Sequence, residues 1–391
     1  MTEQKEIASG VKEFLLTHQE RMIEFLNDLV TIETPSKEIG TQHEILCFLK
    51  SKFEAIGYFA LHVPGENTGG YLYARPLKRN KNSPLQLLIG HCDTVWPANT
   101  IEEMPISYEN GKIMGPGIYD MKAGLTQLFF ALLAIKALSL PLKVTPIVLI
   151  NSDEEIGSRE STKSISKLAK IANRAYVLEP PLGLDGKLKT ARKGLGRFTI
   201  TVTGKAAHAG LDPEKGINAI VELSHQVQHL YAMNDIARGI TVNVGMIEGG
   251  ISPNTVAPTS KAVVDVRVLK EADGIYITEK IKGLRPFLPN VKLQIEGGIG
   301  RPPMEKTPRN QELWKIAKEQ GQRLGINLQQ ATAGGGSDAN TTSVFTATLD
   351  GLGTPGDGAH ATHEYIFQNK LIERTALLVL LLLAEPLNLK P

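Results

Sequence analysis

The stretch Gly90-His91-Cys92-Asp93-Thr94-Val95 closes a strongly apolar run, residues 85–90, with a histidine and an aspartate. Such a run reads as a buried strand. Polar groups at its carboxyl end occupy the edge where open α/β sheets build their sites. His-x-Asp spacing puts both side chains on the same side of an extended backbone. One can bind a metal while the other holds the imidazole in its ligating tautomer. A solvated strand end is the plainer alternative.

Four further clusters repeat this theme. Gly115-Pro116-Gly117-Ile118-Tyr119-Asp120-Met121-Lys122 sets an aspartate just before a helical pattern over 125–138, where it could be a helix N-cap or a ligand. Asp153-Glu154-Glu155 follows the strand-like run 146–150; three like charges that close repel unless a cation or solvent relieves them. A short apolar strand, 175–178, ends in Glu179-Pro180-Pro181. Two glycine-rich segments complete the set, 334–340 and 356–365, the latter carrying His360, His363 and Glu364. One His, one Asp, two Glu and a distant His form a nitrogen- and oxygen-rich donor set. It suits zinc, cobalt or manganese better than calcium or magnesium, which prefer oxygen alone. Recurrence at successive strand ends outweighs the separate bland readings.

These motifs, in this order from about Arg21 to the C-terminus, resemble the co-catalytic zinc peptidases that include bacterial glutamate carboxypeptidase, aminoacylase, acetylornithine deacetylase and succinyl-diaminopimelate desuccinylase. Residues 90–97, Leu178-Glu179-Pro180 and residues 245–258 most resemble glutamate carboxypeptidase. The resemblance implies two divalent metal ions per chain, zinc with cobalt or manganese as alternatives, bridged by Asp120. It implies His91 and Glu179 as the remaining protein ligands of one ion and Glu155 and His363 as those of the other. Glu154 becomes the general base and Asp93 the partner that orients His91. The family also places a cis peptide at Asp120-Met121.

The chemistry is coherent without the resemblance. Two cations about 3.5–4 Å apart lower the pKa of a water held between them. A neighbouring glutamate can take the proton and later deliver it to the leaving amine. Neither a serine nor a cysteine nucleophile is required. Cys92 is expected to be a buried structural thiol facing away from His91.

The elements that must position these residues follow from hydrophobic periodicity. Up to about Thr190, strands alternate with amphipathic helices such as 20–30 and 42–56, which predicts a mainly parallel sheet flanked by helices. After Lys193 the pattern changes to strand (196–203), helix (216–230), strands (239–246 and 260–268), helix (273–287) and strand (291–296). That succession predicts an inserted ferredoxin-like α+β domain. The expected organisation is therefore a catalytic domain of residues 1–192 and 301–391, interrupted by an insert of residues 193–300.

The insert offers His208, Asn254 and Arg267. Each has an ordinary role open to it: a turn histidine, a turn asparagine, and an arginine paired with Asp265. In the family the matching histidine donates to the oxyanion across a dimer interface, and the asparagine and arginine bind the substrate carboxylate. The insert is thereby expected to act as a lid and to make a homodimer.

Composition fits a soluble enzyme. The 391-residue chain carries 43 basic and 41 acidic residues, a formal charge of +2, which gives no electrostatic footprint for nucleic acid. Two cysteines make no disulfide framework. The first residues lack the regions of a signal peptide, and the apolar run 376–384 is too short to cross a bilayer. A cytoplasmic enzyme without a nucleic-acid or membrane partner is expected. Its substrate is expected to be a small peptide or an N-acyl amino acid: a carboxypeptidase releasing a C-terminal residue such as glutamate, or an N-acyl-amino-acid amidohydrolase. A non-enzymatic metal-binding protein is the reading from another class, and the spare Glu154 speaks against it.

Overall fold

The computed structural model describes residues 2–388. The chain divides into two compact units, one of residues 1–190, 306–332 and 337–391, the other of residues 191–305 and 333–336. The second unit is wider than the expected insert, by residues 191–192 and 301–305 and by the glycine-rich stretch 333–336. Arg192 donates to the carbonyls of Gly335 and Gly336, at 3.1 and 2.9 Å, and Arg267 to that of Gly334 at 3.0 Å.

The first unit is built on a six-stranded sheet in the order Tyr58–Val63, Tyr71–Pro76, Thr145–Asn151, Leu85–His91, Ala172–Val177, Ala347–Leu349. The last four strands run parallel and the first two antiparallel. Thr145–Asn151 is buried along its whole length, as a central parallel strand covered on both faces must be, and its sequence is correspondingly apolar. Ala123–Ala137 is buried around almost its whole circumference and packs with Gln368–Leu383, whose apolar residues from Ala376 to Leu382 are buried. Arg174 and Gln86, both fully buried, bond to each other and to the carbonyls of Leu382, Ala384 and Glu385, pinning the end of that C-terminal helix to the sheet.

Register sets the functional edge. His91 pairs with Asn151, the Cys92 amide donates to the Asn151 carbonyl at 2.8 Å, and the Leu178 amide donates to that of Ile89 at 3.0 Å. Three parallel strands therefore release their chains side by side, into His91-Cys92-Asp93, Asp153-Glu154-Glu155 and Glu179.

The second unit is a four-stranded antiparallel sheet in the order Thr241–Gly249, Thr259–Val268, Gly194–Thr203, Lys292–Arg301. Helices Ala219–Tyr231 and Glu271–Lys282 connect the strands in the ferredoxin-like succession. Burial along Gly194–Thr203 alternates with period two, the half-covered pattern its sequence carries. Asn218 caps the first helix, its side chain accepting from the amides of Ile220 and Val221 at 3.0 and 3.2 Å.

Candidate metal centre

Asp120 is the centre of the cluster, because each oxygen of its one carboxylate faces a different imidazole. Oδ1 lies 3.2 Å from His91 Nε2, and Oδ2 lies 3.6 Å from His360 Nε2. Glu179 Oε1 stands 3.6 Å from the same His91 nitrogen, while Glu155 Oε2 stands 3.2 Å from His360. Ligand atoms of His91, Glu154 and Glu179 fall within 4.8 Å of one another, as do those of His91, Asp120 and Glu155. The neighbours Glu154 and Glu155 thus serve different sides of the cluster. Glu155 Oε1 is buried without a hydrogen-bond partner. An orphaned carboxylate oxygen beside two imidazoles and three other carboxylates is what a transition-metal donor set looks like, and the residues fit two divalent cations.

Asp93, fully buried, ties the ligands together. Its Oδ1 accepts from the Glu154 amide at 3.1 Å and lies 3.4 Å from His91 Nδ1; its Oδ2 accepts from the Glu155 amide at 3.1 Å and from Ser36 Oγ at 2.8 Å. His91 Nδ1 also bonds to the Asp93 backbone carbonyl at 3.0 Å, so the histidine is oriented by the main chain and the carboxylate of Asp93 together, and the 154–155 turn by the carboxylate.

Glu364 does the same for the Asp120 loop. Its Oε1 accepts from the amides of Tyr119 and Asp120 at 2.9 and 3.0 Å; its Oε2 accepts from the Gly117 amide at 2.8 Å and Trp96 Nε1 at 2.9 Å. The Asp120-Met121 peptide is cis, and Lys122 begins the helical backbone that continues into Ala123–Ala137. Asp120 is therefore no helix cap.

Opposed charges set the protonation states. Burial alone would raise Asp120, but hydrogen bonds from His360 and His91 hold it below the usual carboxylate range. Burial would lower His91, yet Asp120 and Asp93 keep it well above an ordinary histidine. Asp120 and Glu155 push His360 up to about 10. Burial raises Glu155 to about 7. The carboxylates thus favour the protonated form of both imidazoles, as they would favour cations at the same place.

One expected ligand is corrected. His363 is exposed and makes no ion pair or hydrogen bond with the cluster, whereas His360 contacts both Asp120 and Glu155. The reason is local. Two successive tight turns, Ala361 amide to Gly358 carbonyl and Glu364 amide to Ala361 carbonyl, place His360 in the first, at φ +61°. Glu364 is then drawn inward under the Asp120 loop, leaving His363 on the solvent side. Glu364 was legible only as part of a motif; an acid immediately before the apolar strand Tyr365–Phe367 was the available signal for a buried role.

Cys92 is buried, and burial pushes its thiol well above the ordinary range. In the second unit, His208 and Asn254 sit on adjoining turns, with the Ala209 amide donating to the Asn254 carbonyl at 2.9 Å. His208 Nδ1 accepts from the amides of Gly210 and Leu211 at 3.1 and 3.2 Å, which fixes the ring proton on Nε2. Arg267 takes the ordinary partner open to it, bonding Asp265 through Nε at 2.8 Å and Nη2 at 3.3 Å.

Comparison with known proteins follows the same lines. The model of peptidase family M20/M25/M40 matches residues 87–384. Carboxypeptidase G2 of Pseudomonas sp. (strain RS-16) is 29% identical over 362 residues, which is 89% of this chain and 85% of that protein. Acetylornithine deacetylase of Proteus mirabilis (strain HI4320) is 27% identical over 255 residues, 60% of this chain and 63% of the relative. Among solved structures, aminopeptidase PepT of Bacillus cereus has a TM-score of 0.79 at 24% identity, covering 93% of this chain and 98% of its own, a likeness of fold.

Proposed function

The chain belongs to peptidase family M20/M25/M40, and from that premise we propose that it is a dinuclear metal-dependent hydrolase of amide bonds next to a free carboxylate, a carboxypeptidase releasing a C-terminal amino acid such as glutamate. The observation that carries this reading is the divided carboxylate of Asp120, with His91 and Glu179 on one side and His360 and Glu155 on the other. Bound divalent cations, zinc by the donor set, would supply Lewis-acid activation of water and of the scissile carbonyl. Glu154, held by its amide on Asp93, takes the proton of the attacking water and returns it to the leaving amine. Asp93 keeps His91 oriented throughout.

His208 is assigned the donor to the developing oxyanion, supplied from a second copy of the chain. Its support is the tautomer: both Nδ1 contacts are donors, so Nε2 carries the N–H. Dimerisation through the second unit is supported by Ile220, Val221, Met246, Ile247 and Ile251, all exposed on the edge strand Thr241–Gly249, the turn after it and the first helix. Asn254 and Arg267 are assigned to the substrate carboxylate, Arg267 with its fork oriented by Asp265. Similarity to an acetylornithine deacetylase favours a second reading, an N-acyl-amino-acid amidohydrolase using the same residues. Zinc-loaded protein offered N-blocked dipeptides ending in glutamate beside N-acetyl amino acids decides between them. Release of free glutamate from the dipeptides is expected; turnover of acetylated amino acids alone selects the second reading, and no amino acid from either set rejects both.

A further inference from the structure

Outside the Asp120 cluster, helix Ile39–Ala55 and strand Tyr58–Val63 bring His43, Cys47 and His62 together at the surface of the first unit. One ligand atom from each lies within 4.8 Å of the other two. His43 and Cys47 stand four residues apart on one helical face, and His43 Nε2 is 3.4 Å from Cys47 Sγ. Tetrahedral zinc, with bonds of about 2.3 Å to sulfur and 2.0–2.1 Å to nitrogen, holds two such ligands about 3.6 Å apart. That pair already has the required spacing.

His62 supplies the independent observation. Its Nε2 lies 2.7 Å from the Gly69 carbonyl, an acceptor only, so this nitrogen must donate and the lone pair of the neutral ring resides on Nδ1. A carbonyl that fixes the tautomer and ring plane in this way is the usual companion of a metal-ligating histidine. The rings of His43 and His62 are 4.9 Å apart and tilted by 53°. Cys47 is exposed, so a cation reaches it directly.

We infer that His43, Cys47 and His62 form a third metal site, taking one zinc-class cation with water in the fourth position. Sulfur sets it apart from the oxygen-rich cluster: one thiolate and two imidazoles select zinc or cadmium and discriminate against manganese and magnesium. Binding converts the Cys47 thiol to thiolate and releases its proton to solvent.

The site is tested on the metal-free full-length chain by cadmium titration, following the thiolate-to-metal charge-transfer band in the ultraviolet. The band is expected to reach the amplitude of one cadmium–thiolate bond per chain within three equivalents, since the Asp120 cluster takes up to two more ions, to vanish in Cys47→Ser, to persist in Cys92→Ala, and to require at least tenfold more cadmium in His43→Ala and His62→Ala. Unchanged unfolding temperatures for Cys47→Ser and the two histidine variants show that the fold is intact. Zinc should also slow alkylation of Cys47 by iodoacetamide in the parent chain. A band absent from the parent, a band undiminished in Cys47→Ser, or alkylation indifferent to zinc overturns the proposal and leaves the 3.4 Å contact as a thiol–imidazole hydrogen bond. None of these readouts depends on hydrolysis.

Discussion

Replacing Glu364 with glutamine changes one atom of a residue that touches no substrate, and the structure says it should be costly. Four N–H groups converge on the carboxylate, two on each oxygen. Four donors on one buried side chain identify the ionised form, even though burial pushes its pKa up. In Glu364→Gln one oxygen keeps its pair, while the new amide turns its own hydrogens toward the other pair. Whichever way the amide settles, one buried and one part-buried donor lose their acceptor at about 1–3 kcal/mol each, or about 4 kcal/mol together. At about 2–3 °C per kcal/mol, the unfolding temperature of the first unit should fall by about 8–12 °C. Cation affinity should weaken by about tenfold or more, because either pair includes an amide of the Asp120 loop, Gly117 on one side or Tyr119 and Asp120 on the other. Differential scanning calorimetry of the metal-free chain measures the first effect, and zinc titration against a chelating indicator the second. A variant that melts with the parent and binds zinc as tightly would mean that Glu364 is protonated in the folded chain, refuting the anchoring argument.

His360→Ala should lose one of two bound cations by elemental analysis, while His363→Ala retains both; the reverse result would restore the ligand expected from sequence. Glu154→Gln should keep both cations and lose at least ~10²-fold in kcat, the lower end of acid–base catalysis; full activity would remove Glu154 as the base. Because His91 and His360 are held above their ordinary values, both are protonated in the metal-free chain at neutral pH and cations must displace those protons. Binding should then tighten as pH rises toward about 10, with proton release visible as a buffer-dependent calorimetric heat; pH-independent binding contradicts it. Mixed dimers of Glu154→Gln and His208→Ala chains should regain part of the activity that each homodimer lacks, and confirmed subunit exchange without recovery would rule out a donor supplied by the partner.

What could be read from sequence was whatever depended on strand ends and periodicity. His91, Glu155 and Glu179 each follow an apolar run that could only be a buried strand, and parallel register then brings them to one edge. The ferredoxin-like unit was legible because period-two burial in Gly194–Thr203 and helical spacing in Ala219–Tyr231 are written in residue types. The choice between His360 and His363 was not, since both lie in a glycine-rich loop without periodicity. It is settled by two backbone turns and by Glu364 binding amides more than 240 positions earlier in the chain. The assignment of 333–336 to the second unit was hidden for the same reason: it depends on Arg192 and Arg267 reaching glycine carbonyls, and no local pattern announces that.

The order in which the cluster is encoded has a consequence for the growing chain. His91, Asp120, Glu154, Glu155 and Glu179 all leave the ribosome before the second unit begins at Ala191. His360, which faces the far oxygen of Asp120, and Glu364, which fastens the loop beneath it, arrive only after that unit has been made. A nascent chain halted between Glu179 and His360 therefore carries the acids without their second imidazole and without the clasp on Asp120. Translation itself withholds the finished centre, so a truncated product is a set of carboxylates with only one of the two imidazoles rather than an active hydrolase released early.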